Sequence, residues 1–488
     1  MGISRINLRD LSAGDELLLR VLEFVKDNPN QAYLVGGYIR DKVLGRTGND
    51  IDLVVVGDVE KYCRKLVDVL GGSFFLLGNK GVARIVVKNE ELRKIDVCSM
   101  QGKIEDNLKQ RDFTVNSLAV DAKKLAEETM PIQVIDIFEG LRDIKNKNIS
   151  AVCPEAFKED PLRILRAVRL SVELGFNIEL KTVSFLKESV NLIKNVSAER
   201  LQRELFLIFA LPHFYKAIEL LGKLDIIKFV LPEVEEMKGV TQNNYHHLDV
   251  WGHTLLTLKN LEEILANLKK IFPSEHEKIL SHINQPFQGE FNRVVPLKFA
   301  VLLHDVGKPK TKSVNSSETV CFYHHSEISF KIANGICKRL KISKEGTKIV
   351  GKLIAEHMRP GFLSKEKGSS DKAIRRFLRD AGDETVEILL LSLADRGATL
   401  GPLSTKESLN RHEDFVKNIM KIYFSTIEKP ILPLLTGHDL IKELNLEPGK
   451  LIGRLLEEIE EARAEGKIST KEEALVFAEK YIEDYTKK

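Results

Sequence analysis

The chain has 488 residues, 43% of them hydrophobic and 30% charged, which excludes a disordered polyelectrolyte and a single ordinary core and implies about two to four domains. A formal charge of +3 provides no global field for nucleic acid, so any RNA would have to be held by local basic surfaces. There is no apolar run of membrane-spanning length, no apolar core in "MGISRINLRDLSAGDELLLR", and no CxxC pair among Cys63, Cys98, Cys153, Cys321 and Cys337, so a cytoplasmic chain without membrane contact is expected.

In chain order, "LLLRVLEFVKD" predicts an amphipathic helix, "AYLVG" a strand, "IRDKVLG" a short helix and "DIDLVVVG" a second strand. "VEKYCRKLVDVLGG" predicts another helix, followed by the β segments "SFFLLG", "VARIVVK" and "RKIDVCS". Residues 1–149 therefore read as an α/β head with a mixed sheet. The period becomes helical over 150–235, opening at "EDPLRILRAVRLSVELGF", and stays helical over 236–430, where most of the histidines lie. After a proline-bearing hinge, 431–488 reads as a small helical tail. The fold class is thus an α/β head followed by an all-α neck, body and tail.

On a strand, Asp50 and Asp52 point the same way, roughly 6.5–7 Å apart along the backbone. Two such acids repel unless a cation lies between them. The spacing suits divalent ions about 3.5–4 Å apart, as used in phosphoryl and nucleotidyl transfer. Gly36 and Gly37, between strand and helix, offer bare amides of the kind that cradle a triphosphate, and Arg40 would add charge there. Asp96, on the later strand, would supply a third carboxylate. The acids alone also read as a turn and an edge strand kept soluble by exposed charge. The full pattern GGxxRDxxxGxxxxDxD favours chemistry.

Several segments in order carry a resemblance: "LVGGYIRDKVLGRTGNDIDLVVVG" (34–57), "QRDFTVNSLAV" (110–120), "DIFEGLRDIKNKNI" (136–149), "EDPLRILRAVRLSVELGF" (159–176) and "SAERLQRELFLIF" (197–209). Together they resemble the class II nucleotidyltransferases, the family of tRNA CCA-adding enzymes and bacterial poly(A) polymerases. The resemblance implies a nucleotidyltransferase head at 1–149 and a nucleotide-template neck at 150–235. It implies Mg²⁺ on Asp50 and Asp52, with Asp96 completing the catalytic set. It further implies nucleotide binding by Gly36, Gly37, Arg40, Arg111, Asp112, Asn116, Asp160, Arg163, Arg166 and Arg169. The 3′-hydroxyl of a tRNA would attack the α-phosphate of CTP, with pyrophosphate leaving.

Asp160, Arg163, Arg166 and Arg169 recur every third residue, a slowly drifting stripe on a helix. From the residues alone, the arginines read as a surface paired with Glu159 or Glu173, and Asp160-Pro161 as a helix cap and first-turn proline. The resemblance instead implies that Asp160 and Arg163 read the base. A carboxylate accepts from the exocyclic amine of C or A, and a guanidinium donates to ring nitrogen or carbonyl, so uracil and guanine are rejected.

Two departures stand out. Gln110 replaces the first arginine of the second motif, and only fourteen residues, "VCSMQGKIEDNLKQ", separate Asp96 from Arg111. Family members without a longer flexible segment there add only the two C residues and leave the terminal A to a partner. CC addition from CTP is therefore the expectation, with a separate A-adding enzyme acting afterwards and no stable complex between them. Full CCA addition from CTP and ATP is the next alternative, and A addition or poly(A) synthesis follows.

The segments "YHHLDVWGHTLLTL", "LLHDVGKPKT", "FYHHSEIS", "AEHMRPG" and "LADRGAT" resemble the HD phosphohydrolases. This implies that His253, His304, Asp305 and Asp395 are metal ligands, with His325 and His357 the further ligands of two-metal versions. Such a mixed set suits a divalent transition metal or Mg²⁺. The domain reads equally as an active hydrolase of RNA-terminal phosphates or as a scaffold. His246, His247 and His324 are expected to be surface residues. The tail resembles the segment that follows HD domains in CCA-adding proteins. A hydrolase with a relic head, or a pure RNA-binding module, are the competing classes.

Overall fold

Residues 3–5, 15–48, 50–77, 81–88, 92–127, 133–365, 370–428, 433–464 and 467–486 are described by the structure, a computed structural model. Eight strands form the head sheet: β1 (Ile3–Arg5), β2 (Ala32–Val35), β3 (Ile51–Val55), β4 (Ser73–Leu76), β5 (Val82–Lys88), β6 (Leu92–Ser99), β7 (Leu118–Asp121) and β8 (Gln133–Asp136). Their order is β1-β8-β7-β2-β3-β6-β5-β4. Strands β3 and β6 run parallel and the other neighbours antiparallel, so the sheet is mixed, as expected.

Alternation along the strands sorts the sheet into two apolar faces. Leu34, Leu53, Ile95 and Val97 pack with the helices Glu16–Asp27 and Val59–Leu70. Those helices open on Asp15 and Asp58, whose carboxylates accept from the N–H groups of Leu18 and Lys61. On the opposite face Tyr33, Val35, Val54 and Ala119 are covered by Ile104 and Leu108 of the short helix Ile104–Lys109. That second face ends at Asp52 and Asp96, which are partners in the β3–β6 register.

One expectation shifts here. Strand β3 begins at Ile51, so Asp50 lies in a bend before it rather than within it. The reason is pairing: β6 pairs with β3 from Ile51, opposite Ile95, and β2 only from Asp52, opposite Val35, before turning away at Gly36 into the helix Gly37–Val43, so Asp50 has no ladder partner.

Beyond the head the chain is mainly helical, with Asn177–Ile178 pairing in parallel with Asn148–Ile149. The neck carries Arg163–Leu174, Leu180–Ser189, Ala198–Ala210 and Phe214–Lys223. The body carries Val250–Ala266, Val294–Leu303, His325–Arg339, Lys344–Glu356, Thr385–Ala398 and Lys406–Glu428. Two small antiparallel hairpins interrupt it, Pro286–Gln288 with Phe291–Asn292 and Lys312–Val314 with Val320–Phe322. Strands this short give no readable alternation, which is why the sequence predicts helix throughout. One buried apolar cluster runs through head, neck and body, while Leu435, Leu440, Leu455, Ile459 and Ala474 form a separate core in the tail. The proline-bearing hinge falls at 429–432, outside the described residues. No helix among the described residues is long and apolar enough to cross a membrane.

Candidate active sites

The head site is organised by the turn out of β2. Gly36 has φ +82, a conformation that side chains resist, and a Cβ added there would lie 2.6 Å from Arg111 Nη1 and 2.7 Å from Asp52 Oδ2. The bare α-carbon therefore leaves room for a guanidinium and a carboxylate to approach the backbone at one point. Its N–H donates to the Leu118 carbonyl at 3.0 Å, so Gly36 supplies space rather than the phosphate donor expected of it.

Asp52 is squeezed electrostatically. Burial, followed by the carboxylates of Asp96 and Asp50, outweighs Arg111 and pushes its carboxyl up to about 6. A divalent cation would relieve that repulsion, so the donor chemistry fits one. Asp50 is exposed at the edge. Asp96 differs: Arg84 Nε and Nη2 each donate to one of its oxygens at 2.7 Å, so it is already charge-balanced within the protein. The head acids do not form a close set of three ligands. Among the described residues, the groups with metal-binding spacing both lie in the body.

The second motif links this cleft to the neck. Against the penalty of burial, Arg166, the Asn116 amide and the Phe113 N–H hold the Asp112 carboxyl below its usual value. Arg166 donates to Asp112 Oδ2 through Nε at 2.9 Å and Nη2 at 2.7 Å. Arg163 Nη2 donates to the Gln110 carbonyl at 2.6 Å and Nη1 to the Ala156 carbonyl at 3.2 Å. Arg111 thus lies between two residues gripped by neck arginines and beside Asp52. Its Nε is buried without a partner, while Nη1 donates to the Asn116 carbonyl at 3.3 Å.

Other expected nucleotide ligands are engaged elsewhere. Arg40 is buried, donating to Asn116 Oδ1 at 2.6 Å and to both oxygens of Asp41, so it pins the turn to the second motif. Arg169 pairs with Glu204 at 2.6 Å and Glu173 at 2.8 Å. Asp160 does not cap the long helix, which begins at Arg163; it accepts from the Leu162 N–H at 3.2 Å and pairs with Arg200 at 2.7 Å. Arg84 and Arg200 are partners that sequence reasoning missed. The arginine-bearing fifth motif was the only signal for Arg200, and Arg84 had none.

In the body, His304, His325 and His357 share one arrangement. Each Nδ1 meets a carbonyl three residues back, of Val301, Phe322 and Ile354, at 2.8, 2.9 and 2.6 Å. That fixes the tautomer and leaves each Nε2 buried and turned inward, those of His304 and His325 lying 3.2 and 3.4 Å from the carboxylate oxygens of Asp305 and that of His357 without a hydrogen-bond partner. His253, His304 and Asp395 form one group of ligand spacing, and Asp305, His325 and His357 another. His253 Nε2 lies 2.8 Å from Asp395 Oδ1. Burial opposes charge on His304, yet Asp305 and Asp395 draw a proton to it and raise it to about 10. The same concentrated negative charge would hold cations in place of that proton, and the residues fit a pair of metal ions.

His246 departs from expectation. It lines the cavity of about 600 Å³ over these ligands, its ring 4.9 Å from that of His253, and burial with Lys308 and His253 pushes it down to about 3. His247 and His324 are exposed, as expected. Lys308, unnoticed in the sequence, is buried one turn after Asp305, 2.7 Å from its Oδ2 and 2.8 Å from Gln242 Oε1. Its spacing of three from Asp305 was the available signal.

Residues 32–150 match the family described as "Poly A polymerase head domain", 175–238 "Probable RNA and SrmB- binding site of polymerase A", 250–400 "HD domain", and 420–478 "tRNA nucleotidyltransferase domain 2 putative". The chain is 30% identical to the CC-adding tRNA nucleotidyltransferase of Thermus thermophilus over 469 residues, covering 93% of this chain and 95% of that protein. It is 28% identical to the A-adding tRNA nucleotidyltransferase of Deinococcus radiodurans, covering 93% and 96%. In fold it is similar to the Thermotoga maritima CCA-adding enzyme complexed with tRNA, with TM-score 0.63, 22% identity, and coverage of 99% and 100%.

Proposed function

The chain belongs to the tRNA nucleotidyltransferase family, and from that premise we propose that it adds the two C residues to the tRNA 3′ end from CTP and stops there. The observation that carries this reading is the connection between Asp96 and Arg111. Its helix Ile104–Lys109 buries Ile104 and Leu108 against Tyr33, Val35, Val54 and Ala119. A connection pinned into a core cannot reshape a base pocket between C and A. A separate A-adding enzyme would complete the terminus.

Asp50 and Asp52 would hold Mg²⁺, which supplies charge neutralisation for the attacking and leaving oxygens. Arg111, near Asp52 at the Gly36 turn, would add positive charge to a triphosphate there. Asp160 and Arg163 carry the base reading: cytosine would offer its amine to the carboxylate now paired with Arg200, and its N3 and O2 to the guanidinium now on the Gln110 carbonyl. The test supplies a tRNA ending at the discriminator base with CTP, ATP, or both. Extension by two nucleotides with CTP and no further growth with ATP is expected; a three-nucleotide product or an A tail overturns CC addition.

A second reading coexists, favoured by the orphaned imidazole nitrogens around Asp305. The body would be a metal-dependent phosphohydrolase in which His253, His304, Asp305, His325, His357 and Asp395 hold divalent ions. RNA ending in a 2′,3′-cyclic phosphate, offered with Mn²⁺, Ni²⁺ or Co²⁺, should be opened in a chelator-sensitive reaction. Absence of turnover with every ion would leave the body a scaffold.

A further inference from the structure

The hairpin formed by Pro286–Gln288 and Phe291–Asn292 reaches a carboxylate from the body to the head strand that carries Asp96. Gly289, at φ +61, makes the tip, and Glu290 projects from it. Glu290 Oε2 lies 2.5 Å from Lys94 Nζ, and Oε1 lies 2.9 Å from Arg203 Nη2. Lys94 is on β6, two residues before Asp96 and therefore on the same face. Arg203 is on the neck helix Ala198–Ala210. Head, neck and body thus converge on one side chain.

The hairpin itself is anchored, so Glu290 is presented from a fixed base. Phe287 and Phe291 pack on Phe206 of the same neck helix, with ring centroids 6.1 and 5.3 Å apart. Phe287 also lies against Gly346, where an added Cβ would come within 2.7 Å of its ring.

We propose that Glu290 is a positioning residue for nucleotide transfer, fixing the opening between the head, which holds the triphosphate, and the neck, which reads the base. The inference rests on the transfer reading given above. A nucleotide held at both ends needs the head and neck at one separation, and contacts at the triphosphate and base that are made equally in the ground and transition states show their loss as a higher KM. Without Glu290, Lys94 and Arg203 face each other as like charges and push the two walls apart. With it, each finds a charge-assisted partner. The pairs are partly exposed, so their energy is modest, and the effect should appear in affinity and base choice rather than in folding.

The experiment measures CTP and UTP incorporation on the same tRNA by the unaltered chain and by Glu290→Ala, Glu290→Lys and Glu290→Asp. The first two should raise KM for CTP about fivefold and narrow the preference for CTP over UTP, with kcat within about twofold. Glu290→Asp should recover most of both. Thermal unfolding of each variant distinguishes loss of position from loss of fold. If Glu290→Ala is unfolded, Arg203→Gln, which removes the neck contact at an exposed side chain, must raise KM in the same way. Unchanged KM and base preference in the folded variants, or a fall in kcat with KM unchanged, overturns the inference while leaving transfer intact. No incorporation by the unaltered chain overturns the transfer reading and this inference with it.

Discussion

At the scale of single residues, the cleft depends on an absent side chain. In Gly36→Ala the methyl would need space now held by Arg111 Nη1 and Asp52 Oδ2, at a φ that alanine resists. The variant should lose most CTP incorporation while losing about 1–2 kcal/mol of stability, read by product gels and thermal melts. Asp52 makes the opposite kind of prediction. Its carboxyl is raised from 3.8 to about 6, so the folded state favours the protonated form, and a stability penalty grows as pH rises through that window. In chelator, Asp52→Asn should therefore be inactive yet more stable above pH 6, by roughly 1–3 kcal/mol, with the gain vanishing toward pH 4. Saturating Mg²⁺ should stabilise the unaltered chain and erase the difference. Equal melting temperatures across the pH range would remove the case for a repelling carboxylate. Gly36, Asp52, Arg111 and Asp160 could be picked out because each stands in its own short segment. The partners could not: Arg84 reaches Asp96 from a neighbouring strand and Arg200 reaches Asp160 from another helix, and sequence distance conceals both.

At the scale of elements, periodicity revealed the long helices and the buried strands, and failed for the two body hairpins, whose strands are too short to alternate. It also placed Asp50 inside a strand, because pairing with the neighbouring strands, which on the β6 side starts at Ile51 and on the β2 side at Asp52, leaves no mark in the sequence. The helix Arg163–Leu174 brings its arginines to the head by reaching the Gln110 carbonyl and Asp112. Arg163→Ala should therefore weaken discrimination between CTP and UTP more than it weakens triphosphate binding. Unchanged discrimination in single-turnover assays would count against the template role. A different helix pair carries a pH signature. Glu262, on Val250–Ala266, is raised from 4.5 to about 7 by burial, and Lys298, on Val294–Leu303, is lowered from 10.5 to about 8 by burial. The first makes stability fall as pH rises from 4.5 toward 7; the second restores stability as pH rises from 8 toward 10.5. Stability should thus dip between about pH 7 and 8. Glu262→Gln, which keeps an acceptor for the Tyr215 N–H, should flatten the lower limb in denaturant titrations and, because the Glu262 charge holds Lys298 up, make the upper limb begin at lower pH.

At the scale of the whole molecule, the sequence indicated an ordered series of head, neck, body and tail, but not which parts share a core. Shared burial is a property of packing, and no local pattern records it. Head, neck and body are joined by one apolar cluster, so they should unfold together. The tail helices Gly437–Glu443, Lys450–Ala464 and Lys471–Thr486 close on their own core, and the ion pair Arg379–Glu457, 3.7 Å long and half-exposed, is a weak tether to the body. A unit this small buries little apolar surface and has little stability of its own. Calorimetry should accordingly show a minor early transition before the main one, and hydrogen exchange should report faster opening in 437–486 than in the body helices. A chain ending at Glu428 should keep the main transition within a few degrees and still extend a short RNA bearing a tRNA-like end. If the tail grips tRNA away from the reacting terminus, the same truncation should raise KM for full-length tRNA while leaving KM for the short RNA unchanged. A single shared transition, or collapse of the main one on truncation, would mean the tail is part of the common core and that its contacts with the body outweigh those within it.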